Sequence, residues 1–499
     1  MAATITDLLK DEISDDLYSS YTGTPQNGAI PAIAADNYYI GIGKAEQWRT
    51  AGVPPVPTPS TNDVIQFQSS LQSVKKVEDV SYVIPRVNWS AGSIYTPWDN
   101  TNSSDTTFGA LKPVIGSYYV ITDQNNVYIC IQQGLSNTGV VQNSLNKPTG
   151  VTSSVFVTGD GYAWKFMYNV GVFNAQRYLT SNYIPVELVE LGTKTVEELS
   201  ASRAAQYLIQ QAAVSSQVIG VAIDSSGVGY PKNSKIKVNI YVQGNNPTIA
   251  ANAYARTDNN GKVFQCIMKS KYDALDEFAF GSGYNKTTWA LLNTDSVGTG
   301  SGAQLRPIVD LNPGGMGADP INDLNSSSLM YTVRLVGNEF DTFNVQNDFR
   351  QIGLIENPTK DSAAPALVTK LVASAMKTLH IIPSAGFDKT TIGADAIVFE
   401  VANPQKKAIV DYYQEVSATE GIIHCHQTLT TGWELFTNVD GTAIQIGANT
   451  GTSVKPATGP MLRPGGMDNF SGEVLYIDNR VPIERDANQT EDIKIIIDL

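Results

Sequence analysis

This chain is poor in the residues that most enzymes and most nucleic-acid binders rely on. Only three of its 499 residues are cysteine and three are histidine. Cys130, Cys266 and Cys425 are too few and too scattered for a disulfide framework, and an odd count so dispersed suits a reducing compartment. Charged residues make up 16% of the chain, against about 25% in an ordinary soluble protein. Acids outnumber bases, 48 to 34, for a net charge of −14. The densest basic clusters are pairs, Lys75-Lys76 and Lys406-Lys407, so no sequence-level basic patch invites a nucleic acid, and the acidity serves solubility. No run approaches the ~18 apolar residues of a membrane span. The opening MAATITDLLKDEISDD lacks the basic and apolar regions of a signal peptide. The expectation is a soluble intracellular product with no membrane span and no direct nucleic-acid contact.

Catalytic signatures are equally sparse. Gly41-Ile42-Gly43-Lys44 has two glycines and a lysine but neither the third glycine of a dinucleotide fingerprint nor the spacing of a phosphate loop. No Gly-x-Ser-x-Gly elbow occurs. Asp258-Asn259-Asn260-Gly261 opens like a calcium loop but lacks the later bidentate Glu, and reads as a turn. His424-Cys425-His426 is the sharpest enzymatic hint. In a strand its imidazoles share one face about 6.6 Å apart, but zinc wants three or four ligands and no nearby motif completes the set. No catalytic, cofactor-binding or metal-binding residue is assigned, and no cofactor is expected.

What the chain does have is length and β patterning. Its size allows about three domains, and 42% hydrophobic content supports folding. Tyrosine supplies 23 of the 44 aromatic residues, which suits both β-sheet surfaces and contacts buried only in a complex. Ile5, Leu8, Leu9, Ile13 and Leu17 predict a first helix ended by Gly23 and Pro25. From Tyr38 to Tyr168 short strands alternate with turns. Thr195-Val196-Glu197-Glu198 has capping-box spacing and predicts a helix at a domain boundary. Beyond it, Gly227-Val228-Gly229-Tyr230 and Gly281-Ser282-Gly283-Tyr284 recur 54 residues apart. Each precedes a strand-like run and then a small-residue segment, Ala250–Thr257 and Gly298–Pro307, which predicts two related β units. A third helix is expected over Ala364–Leu379, and exposed loops over Gly432–Gly459. The expected fold is mainly β and multi-domain: sandwich-like domains with a few short helices, divided as 1–194, 195–329 and 330–499.

Three stretches carry the functional information: Gly159–Phe166 (GDGYAWKF), Asp348–Pro358 (DFRQIGLIENP) and Ser471–Leu499. In the first, Tyr162, Trp164 and Phe166 alternate, which predicts a core-facing set. In the last, Glu473–Asp478 reads as a strand broken at Asn479-Arg480-Val481-Pro482. A terminal strand follows with Ile493, Ile495, Ile497 and Leu499 on one face, expected to pair with Glu473–Asp478.

The combination resembles the dimeric baseplate wedge subunit of T-even-type contractile-tailed phages. The matching residues are Gly159, Asp160, Gly161, Tyr162 and Trp164, then Phe349, Arg350 and Gln351, then Ser471, Gly472, Glu473, Asn479, Arg480 and Pro482. Tyr38–Trp48 and Val83–Trp89, flanking the proline-rich bridge Val53–Pro59, fit the same resemblance. It implies a non-enzymatic structural protein of the virion's tail baseplate, assembled in the host cytoplasm, forming a homodimer and contacting other wedge proteins. Two other readings stand beside it: a carbohydrate-binding adhesin of a tail fibre, and a metal-assisted hydrolase built on His424 and His426.

Overall fold

The computed structural model describes residues 7–23, 35–44, 46–50, 52–100, 117–136, 138–244, 246–269, 271, 277–293, 295, 297–337, 339, 348–362, 364–393, 395–486 and 488–499. Antiparallel strands dominate, with a few short helices between them, so the chain is mainly β as expected. The first helix is α1 (Asp7–Thr22); Ile5 and Pro25 lie outside the described residues. The chain forms two compact units. One comprises Met1–Ser14, Ser81–Met330 and Ile497–Leu499, the other Asp15–Val80 and Tyr331–Ile496.

The second unit holds a sheet of β1 (Tyr38–Gly43), β2 (Leu71–Lys76), β16 (Phe349–Glu356), β17 (Val372–Ser374) and β24 (Glu473–Ile483). Their order is β17-β2-β1-β16-β24. β1 is buried along its whole length and β16 along all but its last residue, as central strands covered on both faces must be. Gly41 stands directly opposite Gly353. Helix α2 (Thr61–Ser69), capped by the Ser60 hydroxyl accepting from the Asp63 amide, lays fully buried Phe67 across that pair. A Cβ on Gly353 would run into the Phe67 ring, and one on Gly41 would lie 3.2 Å from it and 2.8 Å from Leu71. Gly41 and Gly353 are therefore a seat for a ring within the sheet, while Gly43 lies against the Ser70 backbone.

β24 runs through the expected break. Gln351 pairs with Asn479 and Phe349 with Ile483, so Arg480, Val481 and Pro482 together face Arg350 in a bulge. Pro482 sits on an edge strand inside that irregularity, where its missing N–H costs no ladder bond.

The unit's other sheet is a closed barrel of β18 (Lys377–Pro383), β19 (Ile397–Glu400), β20 (Lys407–Ser417), β21 (Glu420–His426), β22 (Ala443–Ile446) and β23 (Asn449–Ser453), ordered β18-β21-β20-β19-β22-β23. Its core includes Leu379, Ile381, Val410, Ile423 and Ile444. Two sequence expectations are corrected here. Ala364–Leu379 is not a helix: it supplies β17 and the start of β18, and Leu367 and Leu371 are exposed. The free edge of β2 offers Val372–Ser374 a ladder, and β-branched Val368, Thr369 and Val372 favour it. Gly432–Gly459 is not all loop: β22 and β23 form a tight hairpin within it, with Ile444 and Ile446 alternating into the barrel.

In the first unit, β4 (Tyr119–Ile121), β5 (Asn126–Gln132), β6 (Phe156–Val157) and β7 (Ala163–Asn169) form a sheet ordered β4-β5-β7-β6. Tyr162, Trp164 and Phe166 are all buried, as their alternation predicts. Trp164 stacks on Tyr162 with ring centres 5.8 Å apart and meets Tyr95 edge-on at 5.5 Å. After α3 (Val172–Arg177), the capping box at Thr195 closes a single tight turn, Val196–Glu198, and α4 (Ala201–Gln211) starts afresh behind Ser200. The Gln210 amide anchors α4 by bonding both the N–H and the C=O of Val189, at 3.1 and 3.0 Å.

The paired Gly-x-Gly-Tyr turns belong to a six-stranded sheet. Its strands are β9 (Val218–Val228), β10 (Lys235–Val242), β11 (Ala253–Thr257), β12 (Val263–Met268), β13 (Thr288–Leu292) and β14 (Ser301–Val309), ordered β12-β11-β10-β13-β14-β9. If β9–β11 are matched with β12–β14, exchanging the halves gives the same order read from the other end. The turns match too: Gly227 and Gly281 have φ of +59° and +63°, Gly229 and Gly283 +78° and +85°, conformations natural only to glycine. Each tyrosine clasps the small-residue segment of the opposite half. The Tyr230 hydroxyl accepts from Ala303 N at 3.1 Å, and the Tyr284 hydroxyl from Ala251 N at 2.8 Å. The two halves are interlocked.

β3 (Asp79–Pro85), β15 (Ser328–Val336) and β25 (Thr490–Asp498) each carry the chain from one unit to the other. β3 pairs antiparallel with β8 (Tyr183–Val186). β25 does not pair with Glu473–Asp478 as expected; its neighbour is β15, where Arg334 meets Asp492 at 2.8 Å. β24 has given its ladder to β16, so the terminal strand must find another. Ile493 and Ile495 are buried; Ile497 and Leu499 are half-buried.

The glycine seat generates a measurable coupling. Gly353→Ala overpacks Phe67 and the Tyr476 carbonyl, and should cost about 1–3 kcal/mol in urea unfolding. In a Phe67→Ala background the same change should cost distinctly less; equal costs in both backgrounds would show that the ring does not set the glycine requirement.

Candidate functional site

Two of the three motif stretches meet in the five-stranded sheet of the second unit. Gln351 is buried, and its amide links three chain segments: it accepts from Ser70 Oγ at 2.9 Å and donates to Asn479 Oδ1 at 2.8 Å. Asn479 in turn donates to the Pro55 carbonyl in the proline-rich bridge at 2.9 Å, while Trp48 Nε1 donates to the Arg480 carbonyl at 2.8 Å. Arg350, also buried, pairs with Asp348 at 2.7 Å, and Arg480 pairs with Asp478 at 2.6 Å. Phe349 is buried in the same sheet. Ser471 caps the approach to β24: its hydroxyl accepts from Thr359 N at 2.8 Å. A Cβ at Gly472 would lie 2.6 Å from the Glu356 carbonyl, and Glu473 then pairs with Glu356. One matched pair, Gln351 and Asn479, thus bonds directly across segments far apart in sequence, and the other matched polar residues are held by neighbours outside the matched set.

The GDGYAWKF stretch lies in the other unit. Gly159 and Gly161 flank Asp160, whose carboxylate accepts from the amides of Leu145 and Asn146 at 2.7 and 2.8 Å. Burial opposes ionisation of Asp160, but hydrogen bonds from Thr158 and these amides prevail and hold its pKa below the usual carboxylate range. The residue immediately after Trp164 is not in the matched set yet is chemically the oddest: Lys165 is buried, and Nζ donates to the Ser153 carbonyl at 3.0 Å. Burial depresses its pKa, against the attraction of Asp323 and Asp310. Asp323, on α5 (Pro320–Asp323), is pushed up to about 8 by burial, with hydrogen bonds from Asn312 and Gly317 opposing. A cavity of about 460 Å³ adjoins Lys165, lined among others by Ile219, Phe278, Phe280 and Met316.

The histidine pair resolves into two separate environments. His424 stacks on Tyr412 with ring centres 4.0 Å apart, and its Nε2 meets Gln414 Oε1 at 3.1 Å. Burial, then His380, lowers its pKa to about 4, so it is neutral near pH 7. His426 has the opposite character. Its Nδ1 lies 2.9 Å from Asp411 and its Nε2 3.4 Å from Glu46, and Glu46 is paired with Lys44 at 2.8 Å. Burial disfavours the His426 cation, but Asp411 and then Glu46 overcome it and push the pKa up to about 10. Glu46 is driven up by burial and pulled further down by His426 and Lys44, ending well below the usual range. Asp411 Oδ1 also accepts from Gln72 Nε2 at 3.2 Å, so this charge chain ties β20 and β21 of the barrel to β2 and the segment after β1. Among the described residues, no group of three or more His, Cys, Asp or Glu stands together as a metal site.

Of the sequence-level candidates, the histidines were visible but their partners were not. Glu46 and Asp411 lie 365 residues apart, and no local spacing signals such a pair. Lys165 was signalled only by being a lysine inside an otherwise aromatic strand. Compared with known proteins, the chain matches no protein-family model and no curated protein sequence.

The charge chain predicts a pH dependence. The folded-state pKa of His426 lies above the free value of 6.5, so its stabilisation is full below about pH 6.5 and is lost as pH rises through about 10. The stability difference between parent and His426→Gln, measured by urea unfolding, should therefore shrink steadily as pH rises from about 6.5 towards 10. A difference independent of pH would mean the folded imidazole is neutral.

Proposed function

We propose that this chain is a structural subunit of a phage tail baseplate wedge, acting as a homodimer that holds neighbouring wedge proteins together in the virion. The observation that supports it most is the Gln351–Asn479 bond within the sheet. The Phe-Arg-Gln and Ser-Gly-Glu…Asn-Arg-x-Pro stretches resemble the wedge subunit, and here they are adjacent strands joined through their matched side chains. Residues matched for catalysis would be expected around a cavity with reactive groups exposed. Of the matched residues, Tyr162, Trp164, Phe349, Arg350 and Gln351 are instead buried in the framework, as befits a protein whose product is shape. No helix among the described residues is long and apolar enough to cross a membrane.

The hydrolase reading loses support because His424 and His426 are differently charged and separately engaged. The adhesin reading differs in oligomeric state. Light scattering on the purified chain should give about twice the 53.8 kDa of one chain. Three times that mass would favour a fibre adhesin, and a strict monomer at micromolar concentration would sink the dimeric wedge reading.

A further inference from the structure

The six-stranded sheet turns an unusual face to solvent. Along β10, Lys235, Lys237, Asn239 and Tyr241 alternate outward, while Ile236 and Val238 are buried. Across the ladder, Tyr241 pairs with Trp289 and Asn239 with Leu291. Tyr241, Trp289 and Leu291 are 42%, 43% and 56% exposed, and the two rings stack with centres 5.5 Å apart. Lys235 faces Arg256 across the β10–β11 ladder, and Lys237 faces Tyr254. The local charge runs against the rest of the chain. From Gly229 to Lys271 there are seven lysines and arginines and one carboxylate, Asp258, a net charge of six positive in a chain of −14. No run of adjacent basic residues produces this; the strand period and pairing bring three of the seven, Lys235, Lys237 and Arg256, to this face.

We infer that this face is a docking surface for an acidic protein partner other than a second copy of this chain. Exposed Trp and Tyr beside a leucine, bordered by cations, have the composition of an interface hot spot with a charged rim. The cations select an anionic partner. In an isologous dimer both copies would bring the same cations and no carboxylate to the contact, so charge complementarity would be lacking. The homodimer proposed above therefore uses another surface. A nucleic acid is disfavoured by the strongly negative remainder of the chain, which repels a polyanion reaching beyond this face. The inference rests on the structural-subunit reading only in supposing that the chain has partners.

Binding of the full chain to a synthetic acidic peptide of roughly twenty residues, glutamate-rich with leucine at every fourth position, tests it; tryptophan fluorescence is the readout, at low and physiological salt. The parent should bind, and more weakly as salt rises. Lys235→Glu/Lys237→Glu should lower affinity at least about tenfold, and Trp289→Ala, a surface change expected to leave folding intact by circular dichroism, should lower it several-fold. Both variants should keep the parental mass in light scattering, so failure of the dimer and failure of this face are read separately. No peptide binding, unchanged binding by both variants, tighter binding of an oligothymidine of equal charge, or dissociation of the dimer on charge reversal would each overturn the inference.

Discussion

The seating of Phe67 on Gly41 and Gly353 is the constraint on which the second unit depends. A ring can lie flat on two central strands only if both strands omit a side chain at the same rung, and the β1–β16 register supplies that gap. The same register puts Gln351 where it reaches both Ser70, at the end of the ring-bearing helix, and Asn479 on the outer strand. A shift of one residue would turn every side chain of β16 to the wrong face. The buried amide and the glycine pair therefore specify one alignment of four segments, β1 and α2 near the start of the chain with β16 and β24 far beyond them.

The charge chain through His426 works differently. Taking Asp411 and His426 out of water, with Lys44 and Glu46 partly so, is expensive, and the mutual attraction of the four offsets that cost only while every member is present and ionised. Such a chain adds little net stability compared with apolar packing, but it punishes any arrangement that separates Asp411 and His426 from Glu46 and Lys44. Its contribution is to uniqueness of the fit between barrel and sheet. It also explains why two histidines two residues apart, on one face of one strand, differ so widely in proton affinity. His424 faces a ring and an amide; His426 faces two carboxylates.

How much was legible beforehand follows from the range of each interaction. The buried alternation of Tyr162, Trp164 and Phe166, the Gly-x-Gly-Tyr recurrence and the mainly β character are local patterns, and sequence carries them directly. Ala364–Leu379 misled because leucine spacing suggests a helix to anyone who cannot see that β2 has a free edge waiting. The β22–β23 hairpin was hidden by its glycines and threonines, although Ile444 and Ile446 already alternate around a tight turn. The partner of β25 was not legible at all, because it depends on which strand claims β24 first. For the candidate site, the motif positions were found, but the Gln351–Asn479 bond between two of them needed the register. The basic face was missed since its charges are spaced by two along strands rather than adjacent.

The clasp of Tyr230 and Tyr284 on each other's half bears on how the chain is made. Because β9 is edged by β14 and β11 by β12, each half takes strand neighbours from the other, and the sheet cannot be completed until Val309 has emerged from the ribosome. Until then the nascent segment carries open strand edges and a half-built core, the state most exposed to mispairing with another copy. A duplication that locks its halves together in this way has given up modularity. Its halves can no longer be separated, shuffled or lost one at a time, and each is bound to drift only as the other allows.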